Sequence, residues 1–497
     1  MRPTPSPSTG WVTLAMVGCS TPGPVDGRGR TVLLLTLDTL REDFVGPQDG
    51  MPSSLTPHLD RLPGTRFGDA TTAAPLTLPA HVSMLTGQQP NVHGVLRNNR
   101  VLDPQMPVVT SMLAEDGFRT AAFVSSAVLS PVHGLNRGFA RYVAPEDERQ
   151  PGAQTVKSAL QWVEQQPPAA SLFLWVHLYD THAPTHVGKA RAPDLPSPCV
   201  WSAHPTAARL GTGNPFRANA APLPPTEACV RSRAADIEGY AAAVRNLDDA
   251  VGVLVDGLKA LDRFDAAVVA ADHGESLVEH QMFSSHQFSL YEPVQQIPLW
   301  VVAPGGQQGR SDVPVTLTRV APTLLDLAGA APRPDWPPSL RDATPSANRI
   351  MVGPAPAERG DVPRPNALQA TARTGSLVVL VDDRDHVERY DLERDPQQRA
   401  PCMTQPEQER MRARIVASLA PNPLDGTRWI GKLPGVDKAD PTAALLQPGV
   451  LGQTCGDVTA WDELFVVASN ALVVNSPAAS LDDDATREVL TALGYEE

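Results

Sequence analysis

Short apolar runs separated by longer, more polar segments recur along the first two thirds of the chain. Thr31–Leu37 (TVLLLTL) is almost continuously apolar, as expected of a strand that is buried on both faces of a parallel sheet. Comparable runs follow at residues 120–125, 171–178, 266–271 and 297–302. The intervening segments are long enough for crossover helices. This alternation predicts an α/β fold.

One later segment has a helical pattern, because its apolar residues recur at alternating steps of three and four and make a single stripe. The stripe comprises Ile237, Tyr240, Val244, Leu247, Val251, Leu254, Leu258 and Leu261. We expect this helix to pack on the core. Residues 183–230, between the third predicted strand and this helix, are rich in proline and are expected to form an insertion that shapes one wall of the site.

Residues 77–87 (TLPAHVSMLTG) predict a short helix that begins at a hydroxyl group. Pro79 suits the first turn of a helix, and Gly87 suits its end. Thr77 would then face free N–H groups and the positive end of the helix dipole, which stabilise an alkoxide and an incoming oxyanion. An ordinary N-capping threonine is the alternative interpretation.

Acidic and imidazole side chains come directly after two of the predicted strands. Asp38 follows the first strand, and Asp272 and His273 follow the fourth. Open α/β sheets bind their ligands at this edge, although a loop-capping role is the alternative for Asp38. Two carboxylates and one imidazole suit a divalent ion of the zinc, manganese or magnesium range. We therefore predict a metal site beside Thr77.

The composition narrows the class of partner. Charged residues make up 19% of the 497 residues, and the formal net charge is -14. Proteins that bind nucleic acid usually present a basic face, so nucleic acid is not expected as a structural partner. An anionic substrate would have to be held locally, which favours a bound cation.

Residues 1–19 have the pattern of a bacterial lipoprotein signal peptide. Arg2 precedes an apolar run at residues 11–17, which is too short to span a bilayer, and Gly-Cys-Ser follows it. The pattern predicts a lipid anchor at Cys19, a linker at residues 20–30 and an extracytoplasmic location, periplasmic or at the outer membrane. Plain secretion and an unprocessed start are the alternatives.

The remaining cysteines are Cys199, Cys229, Cys402 and Cys455. An even number suits an oxidising compartment. Their order suggests one pair between the first two and another between the last two, although three connectivities are possible. None of them forms a CxxC pair, so we do not expect them to bind a metal.

Several motifs, in this order, resemble the sulfatase family of the alkaline phosphatase superfamily. They are TLDTLRED (36–43), TLPAHVSMLTG (77–87), VHLYDTHAP (176–184), ADHGESLVEH (271–280), SLYEPVQQIPLWV (289–301), VAPTLLDLAG (320–329), YDLERDPQQ (390–398) and the final ALGYEE. The resemblance implies an alkaline-phosphatase-like sandwich, with a large mostly parallel sheet flanked by helices, and a small C-terminal α+β subdomain.

On this basis we expect the catalytic domain at residues 31–335 and the small subdomain at 336–400. Residues 401–497 would be an extension whose role the resemblance does not assign. It contains a charged helical stretch at 406–419 and an apolar run at 464–474, which would cover the cleft or pack on the sheet.

The chain departs from the family at the nucleophile. Sulfatases have Cys or Ser followed by x-Pro-Ser-Arg and oxidise that residue to formylglycine, whereas this chain has Thr77, Pro79, Ala80 and His81. A threonine cannot become formylglycine. The block resembles the threonine-nucleophile members, which are nucleotide pyrophosphatase/phosphodiesterases, phosphoethanolamine transferases and lipoteichoic acid synthases, and those act on phosphoesters. Thr39 also replaces the second acid of the sulfatase Asp-Asp start.

The resemblance implies one divalent ion (Zn, Mn, Mg or Ca) held by Asp38, Thr77, Asp272 and His273. Thr77 would attack phosphorus in line, and water would release the product from the phosphothreonine. Asn98 lies where the threonine-type diesterases carry an asparagine that donates to a phosphate oxygen.

His182 and His286 are implied to contact the oxyanion or to protonate the leaving group. Alternatively, they hold a second metal with Asp180. We prefer one ion, because the two-metal relatives space these residues differently and carry a further C-terminal histidine. In this chain His386, which lies in a predicted hairpin turn, is the histidine available for that C-terminal position, and we expect it to be exposed.

Three other histidines are expected to have ordinary structural roles. They are His81 on the nucleophile helix, His93 in a turn and His177 inside a strand.

Three functions follow from these expectations. The first is a metal-dependent hydrolase of phosphoesters, either diesters or phosphonate-type monoesters, with a small or polymeric anionic substrate. The second is a sulfatase that acts through Thr77, because a sulfate ester resembles a phosphodiester in charge. The third is a binding lipoprotein that has lost its chemistry, against which the retained Asp38, Thr77, Asp272 and His273 argue.

Overall fold

The computed structural model describes residues 29–47, 53–146, 148–182, 227–277, 279, 286–342, 344–355, 368–382, 387–396, 398, 458–474 and 478–480. Among the helices in these ranges, none combines the length and apolar character needed to cross a membrane. The predicted signal peptide and anchor, the insertion up to residue 226, His386, and the side chains of all four remaining cysteines lie outside the described residues.

Five of the described strands match the predicted apolar runs to within two residues. In chain order the described strands are β1 Thr31–Leu37, β2 Thr65–Phe67, β3 Ala70–Thr71, β4 Arg100–Val101, β5 Arg119–Val124, β6 Arg141–Val143, β7 Leu172–Leu178, β8 Ala266–Ala271, β9 Leu299–Val302, β10 Gly309–Ser311, β11 Val315–Thr316, β12 Arg349–Pro354, β13 Leu368–Thr374, β14 Leu377–Asp382, β15 Val387–Asp391 and β16 Ala479–Ser480. The five that match are β1, β5, β7, β8 and β9.

The central sheet has eight strands in the order β10-β2-β9-β8-β1-β7-β5-β6. It is mostly parallel, and β9 runs against both of its neighbours. Every residue of β1, β7 and β8 is buried, because helices cover the sheet, and this explains why these strands lack an alternating polar pattern. The predicted α/β fold with its large mostly parallel sheet is confirmed.

Eight α-helices are described around the strands. They are α1 Thr77–Thr86, α2 Pro90–His93, α3 Val109–Glu115, α4 Gly152–Glu164, α5 Glu227–Ala260, α6 Glu292–Gln295, α7 Val320–Ala328 and α8 Val458–Ala471. The predicted stripe on α5 is buried from Tyr240 to Leu258, whereas its two ends, Ile237 and Leu261, are 38% and 36% exposed. The amphipathic pattern therefore identified the helix but extended beyond the surface that the core covers.

A second, antiparallel sheet has the order β12-β13-β14-β15. Helix α8 packs on it, and Trp461 and Phe465 are buried there with Val379 and Val381 in an apolar cluster separate from the main core. The apolar run predicted at residues 464–474 thus packs on the small sheet. The charged stretch at 406–419 lies outside the described residues.

Buried charges join the two sheets. Arg349 on β12 forms an ion pair with Asp69, and Arg373 on β13 lies 3.3 Å from the same carboxylate. Arg373 also contacts Glu292 at 2.8 Å. Removing one partner would leave a buried charge uncompensated, so this network holds the small sheet against the segment after β2 and against the helix that contains Glu292.

The register of the central strands determines where the chemistry lies. Leu37 at the end of β1 pairs with Ala271 at the end of β8 and with Leu178 at the end of β7. The residues that follow these three strands therefore emerge side by side at one edge of the sheet.

Candidate active site

Two aspartates stand at this edge, and backbone hydrogen bonds fix the main chain of one and the carboxylate of the other. The Asp38 N–H donates to Leu178 O at 2.9 Å, which continues the ladder one residue past β1. Asp272 Oδ1 accepts from the N–H groups of Thr39 at 3.1 Å and His273 at 2.8 Å. Both aspartates are fully buried. The turn after each strand thus orients the carboxylates toward one another.

Thr39 adopts a left-handed conformation, with φ of 50°, which is uncommon for a residue other than glycine. Tyr240 of α5 holds this turn, because its hydroxyl donates to Thr39 O at 2.6 Å and accepts from the Arg41 N–H at 3.0 Å. The strained turn brings the Thr39 N–H to Asp272. The long helix therefore supports the site from behind.

Thr77 is the first residue of α1, and Leu76 occupies the N-cap position without a side-chain cap. The interpretation of Thr77 as an N-cap is therefore wrong by one position. The Thr77 hydroxyl donates to Asp38 Oδ2 at 3.3 Å. Gly87 ends the helix in the left-handed conformation, as predicted. The Leu78 N–H donates to Asn98 Oδ1 at 3.0 Å, so Asn98 also lies at the start of this helix.

Three imidazoles surround the two carboxylates. His273 Nε2 lies 3.5 Å from Asp272 Oδ2, and His81 Nδ1 lies 3.7 Å from the same oxygen. His177 Nε2 lies 3.2 Å from Asp38 Oδ2. His273 was predicted here, whereas the assignment of His81 and His177 to ordinary structural roles misses their position within the candidate site.

His93 does have the structural role expected of it. Its Nδ1 accepts from the Val95 N–H at 3.1 Å, and its Nε2 contacts Ser83 Oγ at 3.0 Å. The contact with Ser83 ties α2 to α1. The imidazole donates to the serine rather than accepting its proton, so the pair is not a nucleophile with its base.

His182 and His286 lie beside the metal-ligand candidates. The Nε2 atoms of the two rings are 3.3 Å apart, and His286 Nδ1 lies 2.6 Å from Pro75 O. The His286 ring stacks on His273 with centroids 4.2 Å apart, and the His182 ring stacks on Tyr179 at 4.4 Å. The two histidines thus line the side of the site next to His273.

The alternative second metal site is not assembled. Asp180 Oδ1 accepts from the N–H of Gly152, the first residue of α4, at 3.2 Å. Among the described residues, the groups whose ligand atoms lie within 4.8 Å of one another are Asp38 with Asp272 and His273, and His81 with His177 and Asp272. Asp180, His182 and His286 do not form such a group in that part of the chain.

Burial controls the charges of the site. Desolvation raises the pKa of Asp38 well above its usual value, and burial together with the charge of Asp38 raises the pKa of Asp272 to about 8. Burial raises the pKa of Glu275 in the same way, with Asp38 adding to the effect. Burial lowers the pKa of His81 to about 3 and that of His273 to about 4. The metal-free site therefore favours neutral carboxyl groups and neutral imidazoles.

The buried polar atoms test whether a cation fits. Within the described residues, Asp38 Oδ1, Asp272 Oδ2 and His273 Nε2 are buried and have no hydrogen-bond partner. Buried atoms of this kind are normally satisfied, and the three residues offer ligand atoms within 4.8 Å of one another, which fits the coordination of a divalent ion. The residues present suit the cation that the sequence predicts.

The pKa shifts determine how the stability of the metal-free protein depends on pH. Asp272 titrates near 3.8 when unfolded and at about 8 when folded, so its contribution is fully present below pH 3.8 and is lost as the pH rises through 8. His81, His177 and His273 act in the opposite sense. Their pKa values fall from 6.5 to between about 3 and 4, so their contribution is present above pH 6.5 and is lost at lower pH.

Between pH 6.5 and 8, Asp272 is therefore the one of these four groups whose contribution to stability changes, and this contribution is lost as the carboxyl ionises. We expect the Tm of the metal-free protein to fall across this window. A bound divalent cation replaces the proton on Asp272, so the metal-loaded protein should not show this fall. Thermal unfolding followed by circular dichroism, with and without a chelator, measures both. A metal-free Tm that is level or rises from pH 6.5 to 8 would contradict the assignment of raised carboxyl pKa values.

Comparison with known proteins relates this site to one family. Residues 30–330 match the family model described as Sulfatase. The chain is 24% identical to the Delta 4,5-hexuronate-2-O-sulfatase of Bacteroides thetaiotaomicron over 338 residues, 60% of this chain and 68% of that protein. It is 37% identical to Arylsulfatase K of Canis lupus familiaris over 95 residues, which span 18% of this chain and only 17% of that relative.

A solved structure extends the comparison to the fold. The phosphonate monoester hydrolase of Agrobacterium radiobacter superposes with a TM-score of 0.61 at 17% identity, covering 78% of this chain and 94% of that one. At this level of identity the likeness shows a shared fold and leaves the reaction open.

Proposed function

As a member of the sulfatase family, in the alkaline phosphatase superfamily, this chain is an enzyme that hydrolyses ester bonds, and we propose that it cleaves phosphoesters through Thr77. The proposed substrates are anionic diesters or phosphonate-type monoesters, small or polymeric. The observation that carries the proposal is the position of the Thr77 hydroxyl, which lies at the start of α1 and 3.3 Å from Asp38 Oδ2.

The choice of threonine argues against the formylglycine mechanism. A sulfatase of the usual kind needs Cys or Ser at this position, because its nucleophile is the hydrated aldehyde made from that side chain. Thr77 carries a secondary hydroxyl that does not yield this aldehyde. It therefore has to act as the nucleophile itself, as in the threonine-type members of the superfamily.

In the proposed reaction the Thr77 Oγ attacks phosphorus while the bond to the leaving oxygen breaks. Asp38, Thr77, Asp272 and His273 would hold a divalent cation, which would lower the pKa of the Thr77 hydroxyl and neutralise charge on the phosphoryl oxygens. Water then attacks phosphorus and releases Thr77. The positive end of the α1 dipole lies at Thr77 and would stabilise the developing oxyanion.

The paired imidazoles supply the proton that the leaving oxygen needs. His286 Nδ1 donates to Pro75 O, because a carbonyl oxygen only accepts, and this leaves His286 Nε2 facing His182 Nε2. One proton lies between the two Nε2 atoms. We propose that this pair transfers a proton to the leaving group.

Asn98 is proposed to donate to a phosphoryl oxygen. Its Oδ1 accepts from the Leu78 N–H, whereas its Nδ2 is buried and has no partner among the described residues. We expect Asn98→Asp to keep the bond to Leu78 but to lower kcat by about 10²- to 10³-fold, since it removes the donor and adds a negative charge. Steady-state kinetics with unchanged thermal unfolding would support this role. A variant with the kcat of the wild type would contradict it.

Hydrolysis of sulfate esters is the second candidate, and the curated relatives named above favour it. Metal-loaded protein should be compared on a nitrophenyl phosphodiester and nitrophenyl sulfate at equal enzyme concentration. We expect a higher kcat/KM for the diester. Preferential cleavage of the sulfate would reject the proposed substrate class but not the role of Thr77 as the nucleophile. Cleavage of neither ester, with no metal bound, would favour the binding lipoprotein.

We also propose that the mature protein is extracytoplasmic and is anchored by lipid at Cys19, from the sequence pattern at residues 1–19. Mass spectrometry of the mature N-terminus tests this. Acyl chains on Cys19 are expected, and a mature N-terminus at another residue would reject the anchor.

A further inference from the structure

Two histidines behind the carboxylates are prepared to act as ligands. His81 Nδ1 lies 2.7 Å from Thr77 O, and His177 Nε2 lies 3.2 Å from Asp38 Oδ2. A carbonyl oxygen only accepts a hydrogen bond, so His81 Nδ1 carries the ring proton, and His177 Nε2 carries its ring proton when a cation at the first site keeps Asp38 ionised. The lone pairs of the neutral rings then lie on His81 Nε2 and His177 Nδ1.

These lone pairs are not used elsewhere. His81 Nε2, His177 Nδ1 and Asp272 Oδ2 are each buried without a hydrogen-bond partner in the described part of the chain. The three side chains are fully buried, and one ring nitrogen of each histidine and one oxygen of the carboxylate lie within 4.8 Å of one another. They come from three separate elements, which are α1, β7 and the turn after β8.

We propose that His81, His177 and Asp272 form a second cation site, which shares Asp272 with the site of Asp38 and His273. Two imidazoles and one carboxylate favour a transition ion such as Zn²⁺ over Mg²⁺, which prefers oxygen ligands. Neighbouring ions that share ligands are common in enzymes that cleave phosphoesters. This inference rests on the metal site of the proposed function and not on the role of Thr77.

The second ion would tie the nucleophile helix to the sheet. His81 lies one turn after Thr77 on α1 and contacts its carbonyl oxygen. A cation held by His81, by His177 on β7 and by Asp272 would fix the first turn of α1 against the strands that carry the carboxylates. The alternative is that His177 only bonds to Asp38 and His81 only bonds to Thr77 O, in which case the protein holds one ion.

Metal stoichiometry separates these alternatives. The metal-free full-length protein is loaded with Zn²⁺ or Mg²⁺, freed of excess metal, and measured by plasma mass spectrometry and calorimetric titration. We expect two Zn²⁺ ions per chain, and a Mg²⁺ titration that saturates at one. His81→Gln and His177→Gln should each weaken the second Zn²⁺ by at least about tenfold while keeping the first. His93→Gln, which alters a buried histidine bonded to Ser83, is the matched control and should keep both ions.

A wild-type protein that saturates at one Zn²⁺ ion, or variants of His81 and His177 that both keep two with unchanged affinity, would overturn the proposal. The wild-type comparison decides the question if a variant does not fold. Turnover is measured in the same samples. A protein that holds two zinc ions but does not cleave the diester fails the proposed function alone, whereas one that cleaves it with a single zinc ion fails this inference alone.

Discussion

Thr77→Ala is expected to lower kcat for a phosphodiester by at least about 10⁴-fold, because it removes the atom that forms the bond to phosphorus. The substitution deletes a hydroxyl and a methyl group from the first turn of α1. Its donated bond to Asp38 is 3.3 Å long, so the loss of stability should be small beside the loss of rate. Thermal unfolding and steady-state kinetics on the same preparation measure both.

Thr86→Ala is the matched control for this variant. Thr86 is buried on the same helix, and its hydroxyl donates to Val82 O at 2.7 Å. It is the last residue of α1, at the opposite end from Thr77. It should retain kcat within a few-fold. If Thr77→Ala kept most of the activity of the wild type, another group would have to be the nucleophile.

Asp272→Asn is expected to abolish the stabilisation that divalent cations give. Asparagine keeps the shape of the side chain and an oxygen that accepts from the N–H groups of Thr39 and His273, but it removes the charge. At a metal concentration one hundred times the wild-type Kd, this stabilisation amounts to about 2.7 kcal/mol. Turnover should fall with metal content, since Asp272 belongs to both candidate ligand groups.

The same variant has a second expected effect, of opposite sign. Without metal at pH 8, Asp272→Asn should unfold at a higher temperature than the wild type, because it removes a buried carboxyl whose ionisation Asp38 opposes. Thermal unfolding at pH 8 with and without Zn²⁺ gives both quantities. Equal stabilisation of wild type and variant by Zn²⁺ would show that Asp272 is not a ligand.

The parts of the site that follow strands could be predicted from the sequence. Buried parallel strands are continuous apolar runs, so their ends are easy to locate, and the chemistry of such sheets lies at those ends. Asp38, Asp272 and His273 stand directly after β1 and β8, which pair side by side. Thr77 was found for a related reason, because Pro79 and Gly87 mark the ends of α1.

His81 and His177 were missed because they lie inside regular elements. His177 sits within β7 among apolar residues, and its place beside the carboxylates depends on its register opposite Thr36 of β1. His81 reaches Asp272 only through the direction in which α1 enters the site. Residues four apart on a helix share a face, so the spacing of Thr77 and His81 could have placed this histidine beside the nucleophile from the sequence alone.

Asp180 and the C-terminal helix α8 depend on contacts with distant parts of the chain, which sequence patterns do not reveal. Asp180 and His182 were candidates for an alternative second metal site, but Asp180 accepts from the N–H at the start of α4, which local sequence does not place nearby. The apolar pattern of α8 predicts that the helix is buried but does not identify the surface that buries it. That surface is the small sheet, whose strands come much earlier in the chain.

The most direct test of the account is to look for the covalent adduct. Metal-loaded protein is mixed with a nitrophenyl phosphodiester, quenched with acid at a series of times, digested and analysed by mass spectrometry. We predict a phosphoryl ester on the peptide that contains Thr77, which rises and decays with turnover and is absent from Thr77→Ala. An adduct on a different residue, or steady turnover with unmodified Thr77 at every time, would contradict the proposal that this threonine is the nucleophile.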